Sequence, residues 1–228
     1  MSKLLIVGGT KGIGESFVEL YNQTYQIQSM ARSESNRSDV EHFVCDAVNG
    51  PLPDIKDPLQ GIVYLPGTIS LKPFKSLKVD HFLTDLQINL LGAVRVLKQY
   101  ESNLKAHDGV SSVVLFSTVA VQKGMAFHAS IAAAKGAVEG LTRSLAAEWS
   151  PSIRVNCIAP SIVDTPLANR LLRTDKQRES SAARHPLQRI GQTNDIAHAI
   201  HFLLSDQSAW MTGQVLSIDG GLSAIQKL

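Results

Sequence analysis

The sequence predicts an α/β fold, a doubly wound parallel sheet with helices on both faces. Three observations predict it. Short apolar runs alternate with helical patterns from one end of the chain to the other, as in a succession of βαβ units. The first run, Leu4–Leu5–Ile6–Val7, breaks at glycines and re-enters a helical pattern, which is how such sheets open toward a ligand. No linker, repeat or low-complexity tract divides the 228 residues, so one domain, 1–228, is expected.

The first strand is read over Leu4–Gly8, because an apolar run without helical period is a strand buried on both faces. Gly8, Gly12 and Gly14 follow at the head of a helix over Gly12–Tyr21. A turn of this kind aims free N–H groups and about half a positive charge at whatever lies above it, which suits a pyrophosphate. The spacing departs from GxGxxG, and by itself a tight turn without a ligand accounts for it equally.

The second strand, Tyr25–Ala31, ends in Ala31–Arg32–Ser33 with no acid. A carboxylate there would hold the adenosine ribose and repel a 2′-phosphate. Arg32, together with Lys11 in the glycine turn, suits that phosphate instead, which favours NADP(H) over NAD(H). After the third strand, His42–Cys45, come Asp46 and Ala47. Asp46 is an acceptor for an adenine amino group or else a turn cap. Pro51, Pro53 and Pro58 predict an irregular crossover before the fourth strand, Gly61–Leu65.

A helix is expected over Val79–Lys105, with Asn89 set among apolar neighbours where a buried amide needs partners. The fifth strand, Ser112–Ser117, delivers the hydroxyls of Ser117 and Thr118 to the ligand edge, where they can steer a carbonyl. Helix Ser130–Trp149 carries Lys135 within Ala132–Ala133–Ala134–Lys135–Gly136–Ala137, a surface that permits close packing within the chain or between subunits. Strands Ile153–Ile158 and Val215–Ile218 and a helix over Asn194–Ser205 complete the alternation.

With 44% hydrophobic and 18% charged residues and a net charge of +2, composition argues for a soluble protein. It makes no case for nucleic acid or a membrane surface. Runs such as Val113–Val114–Leu115–Phe116 are too short to span a bilayer, and the opening residues lack a signal-peptide pattern. Cys45 and Cys157 lie in strand-like surroundings. They are expected to be buried free thiols in a reducing cytoplasm, with no metal site.

Taken in order, these segments resemble the short-chain dehydrogenase/reductase family over nearly the whole chain. The resemblance rests on Gly8–Gly14, the Asn89 helix, Ser117–Thr118, Lys135–Ala146, Arg154–Pro160, Asp195–Ala197 and Thr212–Gly221. It implies a Rossmann-type sheet of about seven strands, a nicotinamide cofactor, and a homotetramer or homodimer built on the Asn89 and Lys135 helices. It also implies that Gly8, Thr10, Lys11, Gly12, Ile13 and Gly14 meet the cofactor, together with Arg32, Ser33, Asp46, Ala47, Leu65 and Gly67. Lys135 is implied at the nicotinamide ribose. Pro160, Val163 and Thr165 are implied at the carboxamide, with Leu167–Arg189 as the variable substrate lid.

Departures from the family pattern bear on chemistry. Val7 stands where threonine is usual, and Tyr64–Leu65–Pro66–Gly67 replaces an Asn-Asn-Ala-Gly turn. The tyrosine expected four residues before the lysine is Ile131, and the serine position thirteen residues earlier is Thr118. Hydride transfer to a carbonyl leaves an alkoxide that needs a proton, and isoleucine has none to give. General acid catalysis is worth about 10²–10⁴-fold, whereas positioning supplies about 7–11 kcal/mol, so the loss slows reduction without abolishing it. Electron-poor carbonyls such as quinones and vicinal diketones tolerate the loss best.

His128, one turn before Ile131, is a substitute donor. Ser130, Thr118 and a water on Asn89 are further ones. The expected reading is an NADPH-dependent reductase using Asn89, Ser117, Thr118, His128 and Lys135. A non-catalytic NADP(H) sensor or assembly protein is the alternative, and a lyase or isomerase is a third reading.

Overall fold

The computed structural model describes residues 2–225. Seven strands form one parallel sheet in the order β3-β2-β1-β4-β5-β6-β7. They are β1 Lys3–Val7, β2 Gln26–Ala31, β3 Glu41–Val44, β4 Gly61–Tyr64, β5 Ser111–Phe116, β6 Ile153–Pro160 and β7 Val215–Ile218. The order reverses between β1 and β4. Chains therefore leave these neighbours in opposite directions and open a crevice above their carboxyl ends.

Period-two alternation explains why both faces are covered. Leu5 and Val7 enter one core with Val96, Leu97 and Val138, while Leu4 and Ile6 enter the other with Phe17, Ile200 and Leu203. The helices that close these cores are α1 Gly12–Tyr21, α2 Val79–Leu86, α3 Gly92–Lys105, the short α4 Ala120–Lys123, α5 Ala129–Trp149, α6 Asp175–Ala183 and α7 Thr193–Leu204. Helices α1 and α7 lie on one face, and α3 and α5 lie on the other.

The stretch 79–105 is not the single helix its periodicity predicts. A π turn, Gln87–Leu91, separates α2 from α3. It leaves the Ile88 carbonyl to accept from the Tyr64 hydroxyl at 2.7 Å, and Gly92 is required beneath, because a Cβ there would strike that hydroxyl. The irregular crossover is as expected, with no helix or strand over 47–60. It is pinned by Tyr100 donating to Pro53 O at 2.7 Å and by Asn103 donating to the carbonyls of Ile55 and Asp57 at 2.8 and 2.9 Å. Cys45 and Cys157 are free and buried. None of the helices among the described residues is long and apolar enough to cross a membrane.

Candidate active site

The turn between β1 and α1 is shaped by its glycines. Gly8 has φ +92°, a region side chains rarely adopt, and a Cβ on Gly14 would collide with Gly8 O. Lys11 is the N-cap of α1. Thr10 Oγ1 and Ser33 Oγ lie 3.0 Å apart, which ties the turn to the end of β2 and brings Lys11 and Arg32 to one rim. Both cations are exposed. Among the described residues neither is in an ion pair, and no carboxylate follows β2 before Glu34. A cradle of backbone N–H groups with two exposed cations beside it suits an anionic ligand such as a pyrophosphate.

The other implied cofactor residues close around this turn. Leu65 packs over Gly8, where a Cβ would come within 3.1 Å of its own, and a Cβ on Gly12 would touch Thr165 at 3.4 Å. The Thr165 hydroxyl donates to Val163 O at 3.3 Å and accepts from Ala168 N at 3.3 Å, so the segment after Pro160 folds back over the glycine turn. Asp46 fills the capping role: Oδ1 accepts from Val48 N at 2.9 Å, and this bond chiefly holds its carboxyl below the usual range. The carbonyl of buried Ala47 takes the Arg95 guanidinium at 3.2 Å.

Beyond the glycine turn, α2, the π turn and α5 bring a polar cluster together. Lys135 is 7% exposed and donates to Phe116 O at 2.9 Å. Burial pulls its ammonium down to about 8. Asn89 Nδ2 donates to Asp85 O at 2.8 Å and to Thr68 Oγ1 at 3.0 Å, while its Oδ1 is buried without a partner. Gly67 keeps the two groups open to each other, since a Cβ there would stand 3.2 Å from Asn89 Oδ1 and 3.6 Å from Lys135 Nζ.

Ser117 does not join this cluster as a substrate hydroxyl. It is 4% exposed, and its hydrogen goes to Glu139 Oε1 at 2.8 Å. Successive side chains at a strand end point to opposite faces, which leaves Thr118 as the less buried of the pair. Thr118 Oγ1 accepts only from Ala120 N, at 3.3 Å. His128 stands before α5 with Nδ1 held by Ala126 O at 2.7 Å. A carbonyl only accepts, so Nδ1 carries the hydrogen, and Nε2 can donate only as imidazolium. Ile131 is 5% exposed and lies one turn before Lys135 on the same helix. Ser130 Oγ is buried without a partner.

Sequence reasoning missed Asp85, Thr68 and Glu139. Asp85 had a signal, four residues before Asn89 and therefore on its helix face. It also missed α6 inside the lid, although Thr174 and Gln177 form a capping box at its start. No group of histidine, cysteine and carboxylate side chains among the described residues could hold a metal ion.

Residues 45–223 match the family model described as Enoyl-(Acyl carrier protein) reductase. A tropinone reductase homolog of Arabidopsis thaliana is 31% identical over 241 residues, spanning 96% of this chain and 92% of the relative. L-xylulose reductase of Bos taurus is 27% identical, across 97% of this chain and 96% of that protein. The ligand-free aldohexose dehydrogenase of Thermoplasma acidophilum superposes with TM-score 0.89 at 24% identity, over 100% of this chain and 96% of that one. NADP-bound ElxO superposes at 0.85, also at 24% identity, over 98% and 99%. At these identities the structural likenesses carry the fold.

Proposed function

The chain belongs to the short-chain dehydrogenase/reductase family of NAD(P)-dependent oxidoreductases, and from that premise we propose an NADPH-dependent reductase of activated carbonyls. Quinones and vicinal diketones are the substrate classes. One observation carries the reading: Lys135 and Asn89 keep their polar cluster over Gly67, while the helix position one turn before Lys135 is a buried isoleucine. The residues for binding are kept, and the phenol that would protonate an unactivated alkoxide is absent.

NADPH would supply the hydride. The backbone of Gly8–Gly14 would hold its pyrophosphate, Lys11 and Arg32 its 2′-phosphate, and Lys135 the nicotinamide ribose. Val163 and Thr165 would take the carboxamide. The proton is held at Lys135 Nζ, and Asn89 Oδ1, free of any protein partner, seats the water that carries it to the reduced oxygen. Thr118 orients the carbonyl. Without the phenol the barrier rises by about 3–5 kcal/mol, less than positioning supplies, which confines useful rates to electron-poor carbonyls.

Apolar Val79, Leu83 and Leu91 are exposed along α2 and the π turn, and the space around Gly140 on α5 is open. These surfaces support a homotetramer or homodimer, which sedimentation would test. A cytoplasmic location goes with this reading.

The test of function mixes the protein and NADPH with a panel of quinones, diketones and plain ketones. NADPH oxidation with the first two classes and little with the third is expected. The buried Ile131 also favours a second reading, a non-catalytic NADP(H) sensor. Tight NADPH binding with no oxidation across the panel would select it. A His128→Ala variant that keeps full quinone activity assigns the proton to Lys135; one that loses it assigns the proton to the imidazole.

A further inference from the structure

We infer that Asp85 is the buried counter-charge that keeps Lys135 in its ammonium form, acting through Thr68 and Asn89 as a positioning residue for the active site. The inference rests on the NADPH-binding reading above and deepens it.

Asp85 is 1% exposed, on the face of α2 that turns toward Asn89. Its Oδ1 accepts from Thr68 Oγ1 at 2.5 Å, and its Oδ2 is buried with no partner among the described residues. Thr68 Oγ1 in turn accepts from Asn89 Nδ2 at 3.0 Å. Asn89 Oδ1 and Lys135 Nζ both border the space above Gly67, 3.2 and 3.6 Å from where a Cβ there would stand, with no hydrogen bond between them. A hydrogen-bonded run from Asp85 through Thr68 to Asn89 therefore ends beside the buried amine, drawn from two helices and a loop.

For hydrogen bonding alone an asparagine would serve equally well at position 85. Thr68 would still donate to its amide oxygen, and the second carboxyl oxygen finds nothing to accept. What aspartate adds is charge. Burying a charge is costly unless an opposite one compensates it, and among the described residues the Lys135 ammonium hydrogen-bonds only a neutral carbonyl, Phe116 O.

Besides burial, the titratable groups that act on Lys135 are Cys157 from β6 and then Asp85 from α2. Burial pushes the Cys157 thiol up to about 12, so it is neutral near pH 8. Glu139, a buried carboxyl on α5, is already engaged by Ser117 and by Arg143. Asp85 is left as the charge that opposes the desolvation of Lys135. Without it the amine would lose its proton at lower pH, and with the proton its grip on the ribose hydroxyls.

The experiment titrates NADPH fluorescence against pH for the wild type, Asp85→Asn and Thr68→Val, with quinone turnover followed alongside. In the wild type, affinity is expected to fall about tenfold as pH rises past the Lys135 range. In Asp85→Asn that limb moves to lower pH by about one unit or more, and in Thr68→Val it moves the same way by less. A folded Asp85→Asn protein whose limb stays in place overturns the inference. If that variant fails to fold, an unmoved limb in Thr68→Val overturns it instead. A moved limb without quinone turnover keeps the counter-charge and removes the reductase reading. Turnover with an unmoved limb does the reverse. No NADPH affinity at any pH removes both.

Discussion

The glycine turn after β1 and the first turns of α5 line the same edge of the sheet, yet they are built from different materials. The turn works through backbone. Its conformation needs Gly8 at φ +92° and leaves no room for a Cβ at Gly14. The α5 patch works through side chains on a regular helix, where Lys135 and Ile131 sit a turn apart and an exchange of either leaves the helix backbone its own hydrogen bonds. The difference teaches where function is easily lost. A backbone cradle loses an N–H group only where proline is introduced, whereas a helix surrenders a proton donor to almost any exchange of the side chain that carries it.

The largest break in this contrast is Gly14→Val. The side chain would displace Gly8 and with it the turn, so NADPH affinity should fall at least about 100-fold, with overpacking of about 1–3 kcal/mol seen in the melting temperature. A variant that binds NADPH normally would mean that the turn is no cradle.

The opposite move is Ile131→Tyr. Restoring a phenol one turn before Lys135 should raise the rate on plain ketones by about 10²–10⁴-fold in a steady-state assay, at a folding cost of order 1–3 kcal/mol for the tighter packing. An unchanged rate in a well-folded variant would show that the missing acid is not what limits the chemistry.

Arg32→Asp probes the rim of the cradle. Losing one charge-assisted bond and adding repulsion should swing the NADPH-to-NADH affinity ratio by roughly 10–100-fold toward NADH. Equal loss for both cofactors would instead place Arg32 outside the phosphate site.

The smallest effect separates the two strand-end hydroxyls. Ser117→Ala strips Glu139 Oε1 of its donor and should cost about 1–3 kcal/mol in denaturant unfolding, with quinone turnover changed by less than Thr118→Val changes it. The reverse ranking would restore Ser117 to the substrate.

Stability also carries a signature of the α5 patch. The folded state holds Lys135 near 8 where a free lysine sits at 10.5. Between these values the unfolded chain binds the extra proton, so stability rises with pH across that window, and Lys135→Met should flatten the rise in unfolding curves taken at each end.

Periodicity alone sufficed for β7 and α1, whose bounds agree with the sequence reading, and for the strand–helix order of the whole sheet. It did not suffice at 87–91, because π and α turns place apolar side chains on nearly the same face. Nor did it divide Ser117 from Thr118, since the sequence does not say which face of a strand end looks at α5. Asp85 and Thr68, 17 positions apart, meet only because β4 delivers its loop against α2.

The sequence by itself determined what depends on local stereochemistry: which runs are strands, where glycine must turn the chain, and that no phenol stands one turn before Lys135. Tertiary structure alone decided which polar groups share a buried space, and so which oxygen lacks a partner and which amine is pressed toward losing its charge. Those properties depend on distance and desolvation between residues far apart in the chain, and neither is set until the sheet has closed around them.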